Sequence, residues 1–120
     1  MIDLLIPVEV PSMNKRERMH WAQQRREVAT WERWFRHIQR PGGMDKATGK
    51  RLVKIHAYRR QRCHDEANLI GGCKGLIDGL VRAGLLVDDD RAHATFTYAE
   101  DVASKSPTKK PCTRILIEEV

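Results

Sequence analysis

Apolar residues in this chain repeat at two periods that alternate along its length, and that alternation constrains the fold more than any other feature. Leu4, Ile6, Val8 and Val10 recur at every second position over residues 2–10, the spacing that loads one face of a β-strand. Pro7 cannot donate to a ladder, so it predicts an edge strand or an early exit from pairing. Pro11-Ser12-Met13-Asn14 reads as a turn or loop. From about residue 20 to residue 40, Trp21, Val28, Trp31, Phe35 and Ile38 fall at helical spacing, and Arg25, Arg26, Arg33, Arg36 and Arg40 cover the rest of that helix. Pro41-Gly42-Gly43 predicts its end, and residues 44–51 read as a polar, mobile loop. Period two returns over residues 52–60, with Val53, Ile55 and Ala57 on one face and Lys54, His56 and Tyr58 on the other. Helical spacing follows over residues 68–83, where Leu69, Cys73, Leu76, Ile77 and Leu80 form a stripe and Gly84 is the C-cap. Gly71 and Gly72 predict that this helix begins only after them. Residues 94–100 and 113–119 read as a final hairpin around a Lys/Pro/Ser loop over 104–111.

The order strand, helix, strand, helix, strand, strand specifies an α/β layer fold: a small mixed sheet of about four strands packed with two helices. There is no internal repeat and no linker, so residues 1–120 read as a single domain. Hydrophobic residues make up 41% of the chain, which suits a modest core and argues against disorder. No apolar run approaches the roughly 18 residues of a membrane span. The acidic start Met1-Ile2-Asp3 is unlike a signal peptide. Three cysteines, Cys63, Cys73 and Cys112, do not make a disulfide framework. A basic protein of a reducing cytosol, with no membrane partner, is the expectation.

The net charge of +6 is unevenly placed. Residues 1–62 hold 15 Lys/Arg against 6 Asp/Glu, residues 63–103 hold 3 against 8, and residues 104–120 hold 4 against 2. A basic chain therefore encloses an acidic centre. The basic parts suit a polyanion, because binding phosphates releases counterions. The acidic part opposes phosphate unless it holds a divalent cation; otherwise the two parts are solvated faces of opposite sign.

Chemistry concentrates in residues 65–90. Asp65 and Glu66 precede the second helix, and Asp88-Asp89-Asp90 follow it. Lys74 and Asp78 lie four apart on one helix face. A strand leading into Asp65 and a loop carrying Asp89 are expected at the same side of the sheet. Carboxylates gathered so would bind Mg²⁺, which takes oxygen ligands and keeps several waters. The bound ion would polarise a phosphodiester and activate water, and Lys74 would stabilise the added charge on phosphorus oxygens. On the plainer reading Asp88-Asp89-Asp90 is a polar turn and Lys74–Asp78 an ordinary surface pair.

Three segments carry a resemblance: Asp65-Glu66-Ala67-Asn68-Leu69, Lys74-Gly75-Leu76-Ile77-Asp78-Gly79-Leu80, and Ala83-Gly84-Leu85-Leu86-Val87-Asp88-Asp89. Together they resemble the RusA family, phage and bacterial Holliday junction resolvases (crossover junction endodeoxyribonucleases). The family pattern runs Asp-x-Asp-Asn-Leu, a Lys, an Asp four later, Ala-Gly-hydrophobic and Asp-Asp. Pro11-Ser12-x-Asn14, Met19-His20-Trp21 and the Lys-Ser-Pro-x-Lys segment ending at Lys109 are also similar to phage members. The resemblance implies a RusA-like fold and a homodimer that cuts opposed strands of a four-way DNA junction, in recombination and repair, using Mg²⁺ or Mn²⁺. It implies Asp65, Lys74 and Asp89 as catalytic residues, Asp65, Asp88 and Asp89 as metal ligands, Asp78 as the helical Asp, and Asn68 as a DNA contact. Two departures stand out. Ala67 occupies the place of the family's second Asp, so either Glu66 or Asp90 substitutes, or the protein binds branched DNA with impaired or no cutting. Three extra residues separate Asn68 from Lys74, and a bulge at Gly71-Gly72 would bring Lys74 back into place.

Two equivalent cuts in a twofold junction call for a closed dimer with two sites. Asn14, Arg16, Arg18, Arg25, Arg26, Arg59, Arg60, Arg62, Lys109 and Lys110 are the candidates for phosphate contact, each otherwise a solvated surface residue. The three tryptophans read as core or dimer-interface residues rather than base-stacking platforms. No CxxC or HxxxH spacing supports zinc. His20 and His64 read as packing or surface residues, and Cys73 and Cys112 as small core residues.

Overall fold

A computed structural model describes residues 2–38, 46–62 and 65–120. Pro41-Gly42-Gly43, the start of the polar loop, Cys63 and His64 lie outside them. Strands β1 (Ile2–Ile6), β2 (Arg51–Arg59), β3 (Ala94–Val102) and β4 (Cys112–Glu119) form one sheet in the order β1-β4-β2-β3. β4 runs antiparallel to β1 and β2, and β2 runs parallel to β3. The mixed four-stranded α/β sheet is therefore present. Pairing of β1 stops where Pro7 follows it, as its missing N–H requires.

The expected terminal hairpin is absent. β4 inserts between β1 and β2, while β3 lies on the other side of β2. Burial gives the reason. Ile115 and Ile117 of β4 are fully buried, as an interior strand demands, whereas Phe96 and Tyr98 of β3 are only partly covered, as suits an edge. β3 is reached from β2 through a helical crossover, which delivers it parallel to its predecessor.

Helices α1 (Met13–Arg18), α2 (Trp21–Ile38), α3 (Glu66–Gly72) and α4 (Lys74–Arg82) complete the fold. The core joins Val53, Ile55, Ala57, Ile115 and Ile117 of the sheet to Trp31 and Phe35 of α2 and to Leu69, Leu76 and Leu80 of α3 and α4. Helix α1 buries no residue, so no apolar period announces it. It forms because the Ser12 hydroxyl accepts the N–H of Lys15 at 3.0 Å.

The second predicted helix is two: α4 begins at Lys74, after the glycines, as expected, and a separate short helix, α3, precedes it. Asp65 caps α3 by accepting the N–H of Asn68 at 3.3 Å, and Gly71-Gly72 complete its last turn. Gly72 is needed for close approach, because a Cβ there would run into the Pro11 carbonyl. The helix is interrupted directly after the pair, at Cys73, which caps both α3 and α4: its N–H bonds the carbonyls of Leu69 and Ile70, and its carbonyl accepts from Ile77. Gly84, at φ +82°, ends α4 as expected.

Two buried arginines tie neighbouring segments to the ends of β2. At the C-terminal end, Arg59 donates to Val10 O at 3.1 Å, Pro11 O at 2.6 Å and Glu100 Oε2 at 2.6 Å. At the N-terminal end, Arg51 donates to Leu85 O and to Glu119 Oε1, each at 2.9 Å. Arg59 is thus part of the fold and not the phosphate contact its charge suggested. Helix α2 runs the same way as α4, with Glu27 beside Gly75 and Arg36 Nη2 donating to Arg82 O at 2.6 Å. Among the described residues, no helix is long and apolar enough to cross a membrane.

Candidate functional site

Side chains four apart on a helix share one face. Glu66 and Ile70 are so spaced on α3, Lys74 and Asp78 on α4, and all four are exposed. Asp65 caps α3, and Asp88 and Asp89 follow α4, all exposed. Among the described residues, Lys74 and Asp78 form no ion pair within 4.0 Å. Ala67, in the first turn of α3, is exposed beside Asp65.

Within one chain the two acidic ends are far apart, contrary to the expectation that Asp65 and Asp89 share a side of the sheet. Asp65 follows the C-terminal end of β2. The Asp88-Asp89-Asp90 turn meets the N-terminal ends of β2 and β3, where Ala94 N–H donates to Asp90 O and Arg51 N–H donates to His93 O. A parallel crossover has to carry the chain back along the sheet, and α4 alone, of nine residues, spans about 13 Å. Among the described residues, no three His, Cys, Asp or Glu are grouped to hold a metal ion.

The distal carboxylates crowd one another. Asp89 N–H donates to Asp88 Oδ1 at 2.7 Å, which holds the Asp88 carboxyl below the ordinary range. The Asp89 carboxyl is pushed up, first by its hydrogen bond with Asp88, then by desolvation and the charges of Asp88 and Asp78. Asp78 and Asp89 are therefore electrostatic neighbours, although the sequence separates them by a helix end. Asp90 is occupied: its Oδ1 lies 2.6 Å from His93 Nδ1 and accepts the His93 N–H at 3.1 Å. Of the two residues expected to stand in for Ala67, Glu66 is free of such ties and Asp90 is not.

The basic candidates divide. Asn14, Arg18, Arg25, Arg26, Arg60, Arg62, Lys109 and Lys110 are exposed. Arg16 and Asn68 are not available as DNA contacts. Arg16 is 13% exposed and bonded to Glu27 at 2.8 Å. Asn68 is 8% exposed and accepts the N–H of Met13, tying α1 to α3. Burial of their polar ends in local partners is the reason. Lys15, not singled out by sequence, lines two adjoining grooves. One, of about 490 Å³, also carries Arg18 and Arg26, and the other, of about 300 Å³, carries Arg60. Arg60 continues into a third groove with Lys110. The Ser12 cap that creates α1 was the only signal for Lys15. These grooves lie at the Asp65 end of the crossover, so a basic end stands opposite the acidic end of Asp78, Asp88 and Asp89.

The tryptophans also divide. Trp31 is core, Trp34 is packed partly buried against it, and Trp21 is 61% exposed. Trp21 is thus not a core residue, because it opens α2 ahead of the first buried position, Val28. His20 Nδ1 accepts the N–H of Ala22, so this histidine caps α2. Cys73 and Cys112 are buried free thiols, and burial pushes Cys73 up to about 12. Compared with known proteins, the chain matches no family model and no curated protein.

Proposed function

We propose that this chain is a RusA-like, divalent-metal-dependent endonuclease that resolves four-way DNA junctions as a homodimer. The observation that carries the reading is the exposed set of charges. Lys74 and Asp78, singled out by the resemblance, are exposed on α4, with Asp65, the cap of α3, and Asp89, in the turn after α4, exposed as well. A buried or ion-paired set would argue for structure; an exposed and unpaired one argues for a ligand.

The described residues of one chain do not group to enclose a cation, and two chains related by a twofold axis near Lys74 would. Such an axis would set Asp65 and Glu66 of one copy against Asp78 and Asp89 of the other, twice. Exposed Ile70, on α3, would supply apolar area for that contact. Asp65, Asp88 and Asp89, with Glu66 in support, are the residues that would hold Mg²⁺ or Mn²⁺. The ion, when bound, supplies Lewis-acid polarisation of a phosphodiester. The protein's own part is to position DNA. Lys15, Arg18, Arg26, Arg60 and Lys110 track phosphates, and the Lys74 ammonium faces negative charge that grows during the reaction.

The direct test is cleavage of a synthetic four-way junction with Mg²⁺ or Mn²⁺. Paired symmetric cuts, lost in Asp65→Asn and Asp89→Asn, are expected; binding without cutting under both metals would favour the DNA-binding alternative. Ala67, exposed where the family places a carboxylate, is the observation behind that alternative. Ala67→Asp is accordingly expected to raise metal-dependent turnover by about tenfold, the scale of a lost metal-site partner. Unchanged turnover would reject this account of Ala67.

A further inference from the structure

We propose that Trp21 and Arg25 form a stacking platform for an unpaired nucleobase of DNA. The proposal deepens the junction-binding reading and rests on it for its biological substrate. Trp21 is 61% exposed although the α2 core stripe is complete without it. Arg25, one turn on, holds its guanidinium carbon 5.5 Å from the Trp21 ring centroid. The His20 ring is also in contact, with centroids 5.3 Å apart and planes inclined at 39°.

This cluster is fixed. His20 caps the helix through Nδ1, and its own N–H donates to Gln23 Oε1 at 3.2 Å. Gln24 Nε2 donates to Arg16 O at 2.9 Å and holds the corner between α1 and α2. A rigid indole loses little freedom on binding, so a stacked base gains more of the contact energy.

Charge chooses the occupant. Arg25 lies over the ring, and Arg18 and Arg26 are close to it in sequence, all three exposed. An apolar protein surface placed over Trp21 would strip water from these cations without replacing it. A nucleotide brings a π face for the indole and a phosphate for the arginines. The ring stands at the basic end, where the grooves of Lys15, Arg18 and Arg26 lie. At a branch point, where bases leave the duplex stack, such a base is within the substrate itself.

The test compares the full chain with Trp21→Ala and Trp21→Phe. Each is titrated with a single-stranded oligothymidylate, a four-way junction and a matched duplex, and self-association is followed by ultracentrifugation. Trp21→Ala is expected to weaken oligothymidylate and junction binding by about tenfold while duplex binding holds, with Trp21→Phe recovering most of the loss. Equal binding of oligothymidylate by wild type and Trp21→Ala overturns the platform. So does a change confined to self-association, which would make Trp21 a contact between copies. If wild type cuts junctions and Trp21→Ala does so equally well, the platform falls and the junction reading stands. If oligothymidylate binds through Trp21 but junctions are neither preferred nor cut, the platform stands and the junction reading falls. Binding of no DNA by wild type overturns both.

Discussion

Arg59 shows how little a residue's type says about its task. Its charge marks it for phosphate, yet its guanidinium is 4% exposed and holds β2, the segment after β1 and Glu100 together. Arg59→Met would leave the Glu100 carboxylate buried without that charge. A loss of about 3–5 kcal/mol is expected in denaturant unfolding, with partial recovery on adding Glu100→Gln; a loss no larger than that of an exposed arginine would contradict this role. Asp3 and Arg114 make the opposite case. Two hydrogen bonds, at 3.0 and 2.6 Å, join these exposed groups, and the bond to Arg114 holds the Asp3 carboxyl below its usual range. Its pKa is lower folded than unfolded, so the stabilisation is present above the unfolded value of about 4 and fades as pH falls through the folded one. Asp3→Asn should therefore flatten the acid limb of a stability-against-pH curve slightly and leave stability at low pH unchanged. Such residues were legible as charges, but their partners were not, because Arg114 and Asp3 lie at opposite ends of the chain.

Elements with a strong period were legible in the sequence. Helix α2 and strand β2 appear within one or two residues of their predicted bounds. Helix α1 was not, because it buries nothing and depends on one hydroxyl. The glycine pair was read only in part: α4 does begin after it, but the short α3 that ends in it was missed. Glycine lowers helix propensity locally, yet at Gly72 the decisive fact is the Pro11 carbonyl from another segment. Gly72→Ala adds a good helix former and should still destabilise the protein by about 1–3 kcal/mol, read from thermal melts, because the new methyl has no room. A raised melting temperature would show that propensity wins there.

At the scale of the molecule, the crossover from β2 to β3 carries Asp65 and Asp89 to its two ends. If each metal pocket joins Asp65 of one copy to Asp89 of the other, Asp65→Asn and Asp89→Asn homodimers are each inactive. Mixed and allowed to exchange, they would form heterodimers with one intact and one doubly altered pocket. Nicking of one junction strand, without paired cuts, is the expected product on a denaturing gel. Pockets built within single chains would give no rescue.

The sequence by itself determined the α/β class, the main helices and strands, the acidic centre within a basic chain and the residues worth watching. Those are local properties, carried by period and by charge along the chain. Only the tertiary structure decided that β4 enters the sheet interior, that Arg16, Arg59 and Asn68 serve the fold, that Trp21 faces solvent, and that Asp65 and Asp89 follow opposite ends of the crossover within one chain. The physical reason is the parallel crossover and the burial it imposes. Both depend on which segments become neighbours, and no local pattern encodes that.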